Sequence, residues 1–365
     1  MPAVAADFLE ADFDMTRTSD NPWLHRFALL LALATFALIG VGGLVTSHEA
    51  GMAVPDWPTT YGYNMFLFPI SKWVGGVMYE HSHRLVASGV GFLMTILALW
   101  LWLKEERVWL RRLGVIAFFA VVLQGVLGGL RVTLYKDELG IFHATLAQLF
   151  FALTCAIALF TSRTWLRMRE RIAINAGLRG HLLGTTILIL VQLMLGATMR
   201  HQHAGLAVRD FPLAYGKVWP ATDVAAVERI NAERERSETR DFKPVTAAQI
   251  KLHMVHRIVA VLILAAVAAF AMRTRKLLGG GALYSRLAMA WLGLILVQAS
   301  LGAWTVWSNK AADIATLHVS VGAASLAMGT MLTIIAFRNV TAVTAGALAK
   351  DKVVAGQSQS VASVA

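Results

Sequence analysis

The segment SHEAGMAVPDWPTTYG at residues 47–62 recurs without gaps as HQHAGLAVRDFPLAYG at residues 201–216. Eight of the sixteen positions are identical, at an offset of 154. Agreement of that length within one chain marks an internal duplication. Downstream, HSHRLVA at 81–87 aligns with MVHRIVA at 254–260, and IFHATLA at 141–147 with TLHVSVG at 316–322, at offsets of 173 and 175. The pattern Gln-x-x-Leu-Gly occurs three times, at Gln124 to Gly128, Gln192 to Gly196 and Gln298 to Gly302. The jump in offset places 19 extra residues in the second copy, within about 221–243. Most of that insertion, DVAAVERINAERERSETRDFK, mixes acids and bases at helical spacing and reads as a solvated helix with no chemistry of its own.

The duplicated material is strongly apolar. Of 365 residues 57% are hydrophobic and 15% charged, and the mean hydropathy is +0.60, outside the range of soluble globular chains. Eight stretches are long enough to cross a bilayer as helices: 27–46, 82–103, 113–132, 140–161, 180–200, 252–272, 287–307 and 313–336. The fold class expected is therefore all-α integral membrane, with eight transmembrane helices arranged as two tandem four-helix bundles. Because four helices separate equivalent elements, the two bundles share an orientation and are related by a pseudo-twofold axis along the membrane normal. The expected organisation is a tail 1–26, a first half 27–161, a linker 162–180, a second half 181–336 and a tail 337–365.

A net charge of +11 would suggest nucleic acid in a soluble protein. Here its placement is a topology signal. The short loops 104–112, 162–180 and 273–286 hold thirteen Lys or Arg, against four in 47–80, 131–140 and 308–313. Both termini are then cytoplasmic, and the even-numbered helices begin at the outer face. The first twenty residues carry Asp7, Glu10, Asp12, Asp14 and Asp20, which suits neither a secretory signal nor a transit peptide. A bacterial plasma membrane is the simplest address. The only cysteine, Cys155, lies in the fourth stretch, so no intrachain disulfide is possible and a packing role is expected.

Four of eleven histidines obey the duplication. His83 and His143 are separated by 60 residues and His256 and His318 by 62, all near the outer starts of even-numbered helices. Ionisable groups at membrane depth are unfavourable and point to function. Two imidazoles facing each other across a bundle suit axial ligation of one haem iron, with Gly89, Gly91, Ala144, Ala147, Gly322 and Ala323 leaving room for a porphyrin. Tetrahedral zinc wants three or four ligands, and each half offers two. Arg84 and Arg257 follow His83 and His256 directly. A cation at a helix N-terminus opposes the macrodipole, so an anion such as a haem propionate is expected to compensate each.

One position separates the halves. Glu80 stands three residues before His83, whereas His253 stands three before His256. A carboxylate beside one porphyrin only makes that half the reactive one, through proton transfer. The loops holding Asp56, Trp57, Pro58, Tyr61 and Asp210, Phe211, Pro212, Tyr215 read as lids, or equally as interfacial aromatic belts. His48, His81, His201 and His203 fall in outer regions and can relay protons or bind a metal, but need do neither; His25 and His181 read as structural.

In its E-x-x-H-R at Glu80, His83 and Arg84, its H-x-x-H-R at His253, His256 and Arg257, the later His143 and His318, and its eight helices in two halves, the chain resembles the haem A synthases over about 27–336. The resemblance implies an oxidoreductase converting the C8 methyl of haem O to a formyl group by successive hydroxylations. Carried over by position, it implies that His83, His143 and Arg84 hold the substrate haem with Glu80 catalytic, and that His256, His318 and Arg257 hold a resident haem b for electron transfer. Haem O synthase and cytochrome oxidase assembly factors are the partners implied, with membrane lipid around the protein, no nucleic acid, and an unidentified electron donor. Some haem A synthases carry an outer-loop cysteine pair; this chain has none. The rival function is a dihaem b-type carrier oxidising quinol without porphyrin chemistry; a transporter with duplicated halves would instead want polar residues or broken helices at the midplane.

Overall fold

The computed structural model describes residues 21–168, 174–237 and 243–361, with side chains to 338 at the C-terminal end. The acidic residues of the N-terminal tail, part of the 162–180 linker and the end of the insertion lie outside the described residues. Eight helices are long and apolar enough to cross a membrane: α1 (Pro22–Ser47), α2 (Gly75–Lys104), α3 (Val108–Leu134), α4 (Asp137–Thr161), α5 (Ala176–His201), α6 (Ala247–Leu278), α7 (Leu283–Trp307) and α8 (Ala312–Val361, of which Ala312–Arg338 forms the span). Among the described residues there is no strand. The chain is an all-helical, multi-pass membrane protein.

The duplication extends to the helix caps. Asn21 before α1 and Asn175 before α5, themselves 154 apart, each accept an amide three residues on, at 3.1 and 2.8 Å. Such caps satisfy backbone donors that a helix start leaves free. In the first half α1 packs on α2, α2 on α3, α3 on α4 and α4 on α1; α5 to α8 repeat that adjacency. Between the halves α8 touches α1 and α4, and α4 touches α5.

Lipid supplies no hydrophobic drive to bring helices together, so close packing holds them. Leu31, Met94, Leu97, Leu110 and Ile157 interlock in the first half, and Leu182, Val267, Phe270, Trp291 and Leu332 in the second. Both clusters fill the bundle ends remote from the repeated loops. Ile39, Phe151, Ala323 and Ala327 form a separate cluster between the halves, with Cys155 packed against it as expected of a small apolar group. Ala323 therefore faces the partner half, and a side chain at Gly322 would meet Leu193 and Gln298. That corrects the expectation that this pair opens space for a porphyrin. Gly89 and Gly91 do face open space. His25 bridges α1 to the Ala158 carbonyl of α4 at 3.0 Å, and His181 bridges α5 to the Ala266 carbonyl of α6 at 2.8 Å; both are structural.

Two expectations change. Helices α2 and α6 start earlier than hydropathy indicates, at Gly75 and Ala247, because glycines and the polar Glu80, His81, Gln249 and Lys251 dilute the apolar signal of opening turns that pack against the repeated loops. The insertion does form a helix, Val224–Ser237, but it is not freely solvated. Ala226 is buried on it, and Val227 and Ile230 pack against Ala204, Val208, Ala214 and Met254. Asn231 exchanges two hydrogen bonds with the Val245 backbone, and Arg234 donates to the Leu206 carbonyl at 2.9 Å. The helix roofs the second repeated loop.

Candidate functional site

At the loop-bearing end of each bundle, the histidines stand six to nine residues into their helices: His83 in α2, His143 in α4, His256 in α6 and His318 in α8. At 1.5 Å per residue that is roughly 9–14 Å below each helix start. Each ring sits against a glycine of a neighbouring helix. A Cβ built on Gly42, Gly128, Gly196 or Gly302 would lie 3.1, 3.2, 3.4 or 3.1 Å from the Cε1 of His83, His143, His256 or His318. Glycine is what lets the four imidazoles approach adjacent backbones so closely.

Within each half the two histidines are electrostatic neighbours, His83 with His143 and His256 with His318. His143 Nδ1 lies 3.2 Å from the Gln124 carbonyl. A carbonyl only accepts, so Nδ1 carries the proton and Nε2 keeps its lone pair. His318 faces the equivalent Gln298 carbonyl without a bond of good geometry, and the buried Nδ1 atoms of His83 and His256 have no partner. Among the described hydrogen bonds none engages Nε2 of these four rings. Two uncommitted imidazole nitrogens on opposite helices of one bundle fit axial ligation of a haem iron. Among the described residues no group of three or more His, Cys, Asp or Glu is placed to hold a metal ion.

The repeated loops close over this end in matching detail. Asp56 accepts the amides of Tyr61 (2.7 Å) and Gly62 (2.9 Å); Asp210 accepts those of Tyr215 (2.7 Å) and Gly216 (2.9 Å). Gly62 and Gly216 take φ of 76° and 74°, where a side chain would be strained. Arg84 reaches the carbonyls of Val54, Asp56 and Thr59, and Arg257 those of Val208, Asp210 and Leu213, the same three positions in each repeat. Loop carbonyls thus supply much of the compensation expected from an anionic ligand. In the first half a carboxylate completes it: Glu80 Oε1 pairs with Arg84 Nη2 at 2.7 Å, while Oε2 accepts the Val54 amide at 2.9 Å. All four terminal N–H groups of Arg84 are then engaged. His253, in the place of Glu80, instead lies 3.3 Å from the Ala204 carbonyl.

A family model described as COX15-CtaA, cytochrome oxidase assembly protein, matches residues 25–330. The chain belongs to this family. It is 27% identical over 300 residues to a protein named heme A synthase from Exiguobacterium sp., covering 81% of this chain and 87% of the relative. It is 25% identical over 334 residues to a heme A synthase from Shewanella oneidensis, covering 86% and 94%, and 28% identical over 208 residues to one from Shouchella clausii, covering 56% and 68%.

Several residues that shape the site of this COX15-CtaA member carry little sequence signal. Gly128, Gly196 and Gly302 end the Gln-x-x-Leu-Gly repeats, which mark them without naming their task; Gly42 lacks the glutamine. His81 is fully buried between the Phe68 and Trp73 rings, its Nδ1 3.2 Å from Thr60 Oγ1. His48 bonds the Leu44 carbonyl and stacks on Tyr79, closing α1. His201, at the end of α5, presses its ring onto Gly140 of α4, where no Cβ would fit.

Proposed function

We propose that the protein is a haem A synthase, an oxidoreductase that takes haem O in its first bundle and converts the C8 methyl to a formyl group through successive hydroxylations. His83 and His143 present their Nε2 atoms to the substrate iron from α2 and α4, and Glu80 accepts or donates the proton beside the porphyrin. Arg84 and Arg257 pin the two loops and hold positive charge at the outer edge of each pocket. His256 and His318 hold haem b, which supplies one-electron transfer when bound. The two halves are related by a pseudo-twofold axis along the membrane normal, with 27–161 and 181–336 as the functional units. Charge placement in the loops sets both termini in the cytoplasm of a bacterial cell, with membrane lipid around the spans.

One observation carries this function over a dihaem electron carrier. The halves match down to the arginine-to-carbonyl bonds, yet only the first places a buried carboxylate within a helical turn of its histidine. A symmetric electron wire has no use for that difference. Co-expression with a source of haem O, followed by pigment extraction and mass analysis, tests it: hydroxylated and formyl haem are expected, with a bis-histidine spectrum lost in His256→Ala or His318→Ala. Folded protein that yields no oxidised haem favours the electron carrier.

A further inference from the structure

The first bundle contains a cation that the proposed function leaves without a task. Arg131, near the end of α3, has a side chain only 17% exposed, and its buried Nε has no hydrogen-bond partner. Its described contacts are long: Nη1 to the Gly51 carbonyl at 3.4 Å, and Nη2 to Asp137 at 3.9 Å, a carboxylate itself 54% exposed. Such a stretched, half-exposed pair contributes little. A guanidinium presents five donors in a rigid fork, so most of those on Arg131 are unspent, and burying them is unfavourable unless an anion joins them.

The fork lies at the loop-bearing end of the first bundle. It lies against Gly51 where the repeated loop begins, and a Cβ there would fall 2.6 Å from Nη1. Glu80, His83, His143 and His201 are all within its electrostatic reach. His201 comes from the second half, so a residue of the other repeat packs on α4, at Gly140, at this end of the first bundle. These residues are not repeated at the equivalent positions of the second half. At the equivalent places of the second bundle stand Thr305 for Arg131, Ser47 for His201 and Ala312 for Asp137. There Ser47 meets Thr316 at 3.2 Å and accepts from Arg200 at 2.6 Å, a cation whose Nη2 is also committed to the Gly43 carbonyl, and a Cβ on Gly205 would meet only the Lys310 Cδ, at 3.8 Å. Arg84 cannot substitute for Arg131, since its terminal donors are spent on the loop and Glu80.

We propose that Arg131 is the anion-receiving residue of the first bundle, binding a carboxylate of the porphyrin substrate through its guanidinium fork, with His201 closing that end of the pocket. This rests on the first bundle being the substrate porphyrin site. It makes Arg131 a determinant of which porphyrins enter: those with free propionates, and not their esters.

The test uses the purified full chain with its second site loaded with haem. Ferric protoporphyrin IX and its dimethyl ester are titrated separately, and binding is read as the His83-dependent absorbance change. The wild type is expected to bind the diacid at least about tenfold more tightly than the diester, as a charge-assisted bond implies. Arg131→Gln should erase that preference and Arg131→Lys restore part of it, while Arg84→Gln weakens both porphyrins alike. The second-site spectrum reports that each variant is folded. Equal binding of diacid and diester by the wild type, or a preference that survives Arg131→Gln, overturns the role of Arg131. A wild type giving no His83-dependent change with either porphyrin overturns the porphyrin-site assignment itself, and the proposal with it.

Discussion

Glu80 and Arg84 form a buried ion pair one helical turn apart, with 2.7 Å between Oε1 and Nη2. The second bundle keeps the arginine, as Arg257, and discards the carboxylate. Glu80 ties the first loop through the Val54 amide, and in the proposed function it is also the proton-transfer group of the first bundle.

Replacing Glu80 by Gln separates these roles. The amide oxygen still accepts from Val54, whereas the charge, the bond from Arg84 and the titratable proton are gone. Positioned general acids and bases contribute about 10²–10⁴-fold. Formation of oxidised haem is expected to fall at least about 100-fold, with the second-site spectrum unchanged. Pigment mass analysis per mole of protein measures it, and wild-type turnover by Glu80→Gln would remove the carboxylate from the chemistry.

The glycine seats predict a graded series. At Gly302 a Cβ would stand 3.1 Å from His318 Cε1, close enough that the ring must yield by a few tenths of an ångström. Gly302→Ala is expected to keep the bis-histidine spectrum while releasing haem more readily. Gly302→Leu should abolish it, because the larger side chain occupies the space of the ring. Gly128→Leu, at the His143 seat, should spare the second-site spectrum and eliminate porphyrin uptake by the first bundle. Absorbance spectra and haem-to-protein ratios decide this, and a normal spectrum in Gly302→Leu would show that His318 does not need its seat.

What was legible in the sequence follows from which forces leave a periodic trace. The eight spans, the repeat and the matched histidines all appear, because apolar length and duplication are written in consecutive residues. The early starts of α2 and α6 do not, since Gly75, Gly76, Glu80 and His81 lower the local hydropathy although the backbone is already helical. The seat glycines are visible only as a motif, because their function depends on which ring the neighbouring helix delivers. The Val224–Ser237 helix is dominated by charge, which conceals the Ala226, Val227 and Ile230 stripe that docks it on the second loop. Arg131 counts in the sequence as one outer-loop cation among four. Only packing reveals that its side chain is largely buried, its Nε without a partner and its other contacts long.

The loop carboxylates set a pH response. Burial opposes ionisation of Asp56, but the amides of Gly62 and Tyr61 and the Thr59 hydroxyl outweigh it and hold the carboxyl below its ordinary 3.8. Asp210 is likewise opposed by burial and lowered by the amides of Gly216 and Tyr215, with help from Arg257. A carboxylate whose folded pKa lies below its unfolded value contributes stability above the unfolded value and loses it as pH falls through the folded one. Both loops should therefore keep constant amide-exchange protection from about pH 7 to 5 and lose it below about pH 4, once exchange is referenced to intrinsic rates. Each carboxylate is largely solvent-screened, so the change is local opening and not global unfolding. Asp56→Asn should lower protection across 54–62 at every pH and flatten the acid response there, leaving 208–216 to titrate as in the wild type. Loss of protection in 208–216 as well as 54–62 at neutral pH in Asp56→Asn would mean that the two loops open as one unit.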